Sequence, residues 1–369
     1  MSNKFEGSEL FERTFKHQKI GPNGERVRVD YLFKSKFGPE ENPIEADRYR
    51  IVWMPGCPYA NKTVITWKLL GLDKVISLAQ TSIFRSPLGW VFGPDETNNK
   101  TIEEINQEYI DGKEYRVSNQ NTEDVYGNYL PVDPVLGIHY LHEVYWKSHP
   151  DYVGRSTVPT IVDVKTGKAV NNDHQYIPLY FARDWKKFHK KGAPNLYPID
   201  FQKDIDELND WILKNINEGA YNAGFATNQA QYEKGYKGFF DSLDILEERL
   251  KNKRFLFGDY ITLSDIHLYV TLVRFYQTYY QIFGVNKKRL DEYDNLWGYA
   301  RDLYSIPEFK EFTKLDLIKK HYQLSPHLRA KFGNEFGIYA LGPDASKWDD
   351  ENDRYKLSST KDIFIKEDN

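Results

Sequence analysis

One stretch constrains the fold more than any other: "RYRIVWMPGCPYANKTVITWKLLGL", Arg48 to Leu72. An apolar run ends at Met54, a Pro-Gly-Cys-Pro turn follows, and then Thr63, Val64, Trp67 and Leu70 recur on one face. That pattern predicts a buried strand, a tight turn and a helix from Tyr59 to Leu70. Pro58 suits the first helical position, because its missing N–H needs no partner there. Cys57, the only cysteine of 369 residues, is thereby placed as the helix cap. Its sulfur should face the free N–H groups of Tyr59 and Ala60. Those dipoles favour an anion, so the sequence predicts a lowered thiol pKa and a reactive thiolate.

What the motif lacks is equally informative. A dithiol oxidoreductase carries a second cysteine where this chain has Ala60. A mixed disulfide on Cys57 must be resolved by a thiol from outside, which implies monothiol chemistry with a small thiol as co-substrate. A single cysteine also excludes an intramolecular disulfide and fits a reducing compartment, so a cytoplasmic location is expected. Neither a secretory signal nor an apolar run of about 18 residues is apparent. The net charge of −4 gives no case for nucleic acid, and "KKFHKK" and "KNKR" read as solvated surface. His139 and His142 in "HYLH" lack further ligands, so no metal is expected. Aromatic residues make up 15% of the chain, which suits either large aromatic cores or a pocket for flat ligands.

Along the chain, residues 1–48 are polar and rich in Gly and Pro, an N-terminal extension draped over something else. "VISLAQT" (Val75–Thr81) is a second strand, and residues 82–150 are a long polar insertion. "STVPTIVDVKTGKAVNNDHQYI" reads as strand, turn, strand and helix start. Residues 49–195 therefore form a compact α/β unit of thioredoxin type. In such folds the residue before the proline, here Val158 before Pro159, offers its backbone to an extended thiol peptide, and that proline is expected to be cis. Residues 196–346 read as an all-α domain, with helices over Phe201–Ile216, Gln229–Leu250, Thr262–Phe275 and Leu296–Leu303. Thr262 should cap the third, Asp265 should reach back to it, and Ile261 should staple onto Ile266. The polar tail, 347–369, is expected to be loosely ordered.

"RYRIVWMPGCPYA", Gly89–Trp90, "STVPTIVDVKTGKAVNN", "NEGAYNAGFATNQAQYE", "RFLFGDYITLSDIHLYVTLVRF", "NLWGYARDLY" and "IKKHY" follow in one order and spacing. From about Tyr49 to Tyr322, with a trailing "GIYALGP", the chain resembles the glutathionyl-hydroquinone reductases, the Xi-class glutathione transferases. The resemblance implies a thioredoxin-like domain, an all-α domain and a homodimer. It also implies reductive removal of glutathione from glutathionyl-hydroquinones, with Cys57 attacking the thioether sulfur and a second glutathione freeing the enzyme. By the same resemblance Tyr221 and Tyr322 lie at the quinol site, Trp90 lines the glutathione site and Val158 pairs with the cysteinyl backbone.

The chain departs from the family pattern in two places. Pro-Trp-Ala-His-Arg becomes Pro58-Tyr59-Ala60-Asn61-Lys62, which keeps an aromatic ring and a positive charge. The Glu-Ser-Ser that holds the γ-glutamyl end becomes Asp173-His174-Gln175. Asp173 can still accept from an ammonium, with a shorter reach. His174 puts a ring where an α-carboxylate should sit, so another low-molecular-weight thiol stays open. Two further readings compete with the family reaction: a broader thioltransferase using the same Cys57, and a non-catalytic protein of this fold that binds aromatic ligands.

Overall fold

The computed structural model describes residues 20–27, 31–86, 89–92 and 132–366. Parts of the expected N-terminal extension and of the 82–150 insertion lie outside the described residues. The central strand β1 (Tyr49–Trp53) is buried along its whole length. It pairs in parallel with β2 (Ile76–Gln80) and antiparallel with β5 (Thr160–Asp163), which forms a hairpin with β6 (Lys168–Asn171). The sheet order is β2-β1-β5-β6. A separate ribbon joins β3 (Arg85–Ser86) to β4 (Gly89–Trp90). Helix α1 (Pro58–Leu69) follows β1 through the Cys57 turn, and its Trp67 indole donates to the Ile76 carbonyl at 2.9 Å. Helices α2 (Leu141–Ser148) and α3 (Ile177–Asp184) complete this half.

The second half is helical. Helix α4 (Gln202–Ile212) runs through a π-turn, Leu213–Asn217, into α5 (Glu218–Gly224). The helix expected to stop at Ile216 therefore continues to Gly224, and "EGAYNAG" is helical. The buried stripe of Ile212, Ile216, Ala220 and Ala223 carries across the turn. The Asn217 amide within it donates to the His267 carbonyl at 2.9 Å and the Thr271 hydroxyl at 2.7 Å. After α6 (Gln229–Arg249) comes α7 (Leu263–Arg274), which packs against both α1 and α4. A second π-turn, Phe275–Tyr279, ends α7, and α8 (Asp294–Tyr304), α9 (Pro307–Phe312), α10 (Leu315–Leu324) and α11 (Pro326–Phe332) follow.

The tail differs from expectation. Trp348 is buried, and the Arg354 guanidinium donates to the Leu250 carbonyl at 2.9 Å. The Ile363 carbonyl accepts from the Ile261 amide at 2.9 Å, and that of Ile365 from the Asn195 amide at 2.6 Å. A polar composition hid these contacts, because a few anchoring groups, rather than an apolar stripe, hold the segment down.

The predicted Thr262–Asp265 cap of α7 forms. The Thr262 hydroxyl accepts from the Ser264 amide, and the Asp265 carboxylate accepts from the Thr262 amide at 2.8 Å. Asp265 also accepts from the Leu256 amide and the Tyr299 phenol, each at 2.9 Å. It is fully buried, so its removal would strand several donors at once. Asp265→Ala should lower unfolding stability by about 3 kcal/mol, read from the urea midpoint at unchanged slope. A loss below about 1 kcal/mol would mean that these donors find other partners.

Candidate active site

Cys57 caps α1 from an extended backbone conformation, with Pro58 at the first helical position. The turn closes through the Cys57 amide, which donates to the Met54 carbonyl at 3.0 Å. The thiol donates to the Val158 carbonyl at 3.4 Å, and the Val158–Pro159 bond is cis. The structure thus brings together Cys57, Val158 and Pro159. A phenol missed in the sequence positions that loop. Tyr145, from α2, accepts from the Thr157 amide at 3.0 Å and the Asn172 side chain at 2.9 Å, and bonds the Thr160 hydroxyl at 3.0 Å.

The expected low thiol pKa is not what the free protein presents. Burial pushes the Cys57 thiol up, outweighing the Ala60 amide, Arg274, the Tyr59 amide and Lys62, which pull it down in that order. The dipoles of the helix start are present as predicted. They are opposed by desolvation, which depends on the walls that surround the sulfur rather than on its place in the chain.

Against the thiol loop lies Arg274, the last residue of α7. It is fully buried, donating from Nε to the Gly56 carbonyl and from Nη2 to the Pro55 carbonyl, each at 2.9 Å. Its Nη1 donates to the Asn61 side-chain oxygen at 3.1 Å and the Val270 carbonyl at 2.9 Å. Over the same loop lies His321 of α10. A Cβ on Gly56 would stand 2.7 Å from its ring, which explains the glycine before the cysteine. His321 Nδ1 sits 2.6 Å from the Ile83 carbonyl, and burial holds its pKa down to about 4. The ring is therefore neutral, with its proton on Nδ1 facing an oxygen that can only accept. Trp90 of β4 is buried 5.9 Å from this ring, centroid to centroid.

Tyr221 and Tyr322, 101 residues apart, meet hydroxyl to hydroxyl at 2.5 Å. Tyr279, which sequence reasoning missed, joins them at 3.2 Å and 3.0 Å. Burial raises all three phenols, so they stay protonated at neutral pH and serve as donors. His321, over Gly56, meets the Tyr322 ring edge-on at 4.9 Å, and Tyr59 faces the Tyr221 ring at 6.3 Å, so the phenols stand beside the thiol loop. The wall beyond is aromatic: Phe225 and Phe283 pack on Tyr221 at 5.6 Å and 5.3 Å, and both meet Phe332. A Cβ on Gly224 would lie 2.3 Å from the Phe283 ring, so the glycine of "YNAGFAT" admits that wall.

Asp173 and His174 lie just before α3 and are both buried. The Asp173 carboxylate accepts from the Gln175 amide at 3.2 Å. The His174 ring stacks on Tyr59 at 3.8 Å and 9°, with Tyr31 edge-on at 5.3 Å. The two departures from the family pattern therefore pack against each other. Tyr59 also donates to the Glu218 carboxylate, which pairs with Arg26. The Arg26 guanidinium lies over the Tyr221 ring at 5.2 Å, and Arg155, near Cys57, adds a further positive charge. No periodicity marks Arg26, Arg155 or Arg274, since each reaches the site from a distant part of the chain.

Residues 229–302 match the model of the glutathione S-transferase C-terminal domain. The chain is 33% identical to glutathionyl-hydroquinone reductase YqjG of Escherichia coli, over 81% of this chain and 80% of that protein. It is 30% identical to glutathionyl-hydroquinone reductase PcpF of Sphingobium chlorophenolicum, over 81% and 84%. Among solved structures, the Xi glutathione transferase ECM4 from Saccharomyces cerevisiae, in complex with glutathione, superposes with a TM-score of 0.75. It shares 27% identity, over 87% of this chain and 97% of that one. The chain belongs to the glutathionyl-hydroquinone reductase family, the Xi-class glutathione transferases.

Proposed function

We propose that this protein is a cysteine-dependent glutathionyl-hydroquinone reductase. The observation that carries the reading is a single thiol, bonded to the carbonyl before a cis proline, with three protonated phenols beside its loop. Disulfide exchange alone has no use for the phenols. In the first step Cys57, as thiolate, attacks the sulfur of the aryl thioether. The carbon–sulfur bond breaks, a Cys57–glutathione disulfide forms, and the leaving ring carbon takes one proton, for which Tyr221 and Tyr322 are the available donors. In the second step a glutathione thiolate attacks the mixed disulfide, releasing glutathione disulfide and restoring Cys57. The aryl carbon is reduced and two glutathionyl sulfurs are oxidised to one disulfide, so the electrons balance.

The Val158 backbone would pair with the cysteinyl unit and Trp90 would line the tripeptide site. Asp173 would accept from the γ-glutamyl ammonium, with the stacked His174 forming the wall beside it. That ring, in place of a small hydroxyl, also favours a second reading in which another small thiol replaces glutathione. A broader thioltransferase would use the same Cys57 on mixed disulfides. A homodimer remains part of the proposal, to be read from the solution mass.

Cys57→Ser should abolish hydroquinone release from a glutathionyl-hydroquinone in excess glutathione, a fall of about a thousandfold or more. Release by the variant at the wild-type rate would show that Cys57 is not the nucleophile. Tyr322→Phe should slow that release by about tenfold or more while leaving hydroxyethyl disulfide reduction nearly unchanged. Equal loss on both substrates would favour the broader thioltransferase. Burial raises the thiol, so the reactive form grows as pH increases. Release should climb steadily from about pH 6 to about pH 9, near and beyond the ordinary thiol value of about 8.5. The raised phenols predict no alkaline fall within that window. A rate already flat from about pH 6 would mean a thiolate in the free protein, against the burial seen here.

A further inference from the structure

We infer that Arg274 is the positioning residue of Cys57: a buried guanidinium that grips the thiol loop by its carbonyls and keeps its own charge for the thiolate. A buried arginine ordinarily pairs with a carboxylate, because an unpaired buried charge is costly. Among the described residues none pairs with Arg274. Its four hydrogen bonds run to the carbonyls of Pro55, Gly56 and Val270 and to the Asn61 side-chain oxygen, all neutral acceptors. Such dipoles satisfy the N–H groups without cancelling the net charge, which is left to act on nearby anions. Two of the four acceptors are the residues immediately before Cys57, so the grip and the charge are delivered to one loop.

Other groups act on the sulfur through their charge as well. Lys62 comes from α1 itself, with its ammonium 3.4 Å from both the Gln175 side chain and His267 Nδ1. Arg155 comes from the segment before β5, and the Tyr221 phenol from α5. His321, over Gly56, is neutral, and the Glu218 carboxylate is engaged by Arg26 and Tyr59. Among the cations, Arg274 favours the Cys57 anion most strongly. Its charge also opposes the rise of Tyr221, Tyr279 and Tyr322. The chain makes this double reach possible through the π-turn Phe275–Tyr279. Arg274 enters that turn and Tyr279 ends it, so one short segment touches the thiol loop at one end and the phenols at the other.

The inference rests on Cys57 being the nucleophile of the proposed reaction, and its test reads the thiol directly, without the hydroquinone substrate. The rate of Cys57 alkylation by iodoacetamide is followed against pH in the full-length protein and in Arg274→Gln and Arg274→Lys. Arg274→Gln should move the midpoint up by about one pH unit. Below both midpoints the rate should then fall about threefold, since the more basic thiolate regains part of the lost fraction. Arg274→Lys keeps the charge and loses most of the carbonyl contacts, so its midpoint should stay near that of the wild type while hydroquinone release declines. A folded Arg274→Gln with an unmoved midpoint overturns the inference. If Arg274→Gln does not fold, Arg274→Lys decides: a midpoint that climbs by the full unit would place the effect in loop geometry alone and overturn it too. No turnover of glutathionyl-hydroquinones by the wild-type protein, with the alkylation shift intact, would instead count against the proposed substrate.

Discussion

A guanidinium from the helical half holds the cysteine loop of the α/β half, and the arrangement of the site depends on that grip. Arg274 spans the boundary by donating to the Pro55 and Gly56 carbonyls, while Asn61 on α1 braces it from the other side. Without this link the turn between β1 and α1 would present its carbonyls to an apolar interface with no donor for them. Because α7 packs against both α1 and α4, the position of the thiol is tied to the helical half that supplies the phenols.

The aromatic wall on the far side is built by exclusion as much as by contact. Gly56 and Gly224 mark the places where a side chain would collide, with His321 in one case and Phe283 in the other. Their absence lets two rings approach the thiol loop and the tyrosine trio, and those rings remove water from both. Desolvation then keeps the phenols protonated and makes the resting thiol a hydrogen-bond donor to Val158. In a site of this kind burial favours the protonated thiol and phenols, while buried or partly buried cations favour the thiolate.

The two departures from the family pattern acquire a physical meaning as a pair. Tyr59 and His174 are far apart in sequence, yet they stack face to face at 3.8 Å. A flat ring on α1 and a flat ring before α3 make one wall, and Tyr31 closes its edge. Replacing one ring alone would leave the other without its partner, so the two positions are coupled through packing energy.

The order strand, cysteine turn, helix and later hairpin was legible in the chain because each is a local matter. Apolar periodicity, the proline at the first helical position and the Thr262–Asp265 cap all act within a few residues, and all appear in the structure. Cys57 and Val158 could be paired in advance through the known geometry of such a unit, and Tyr221 and Tyr322 through family likeness. Tertiary structure alone decided the rest. Arg274, Tyr279 and Tyr145 reach the site across long sequence separations that no periodicity encodes. The tail docks through Trp348, Arg354 and scattered backbone bonds that its composition does not advertise. The thiol's proton affinity follows the same division: the helix dipole that lowers it is a property of local sequence, whereas the burial that raises it belongs to the walls assembled around it.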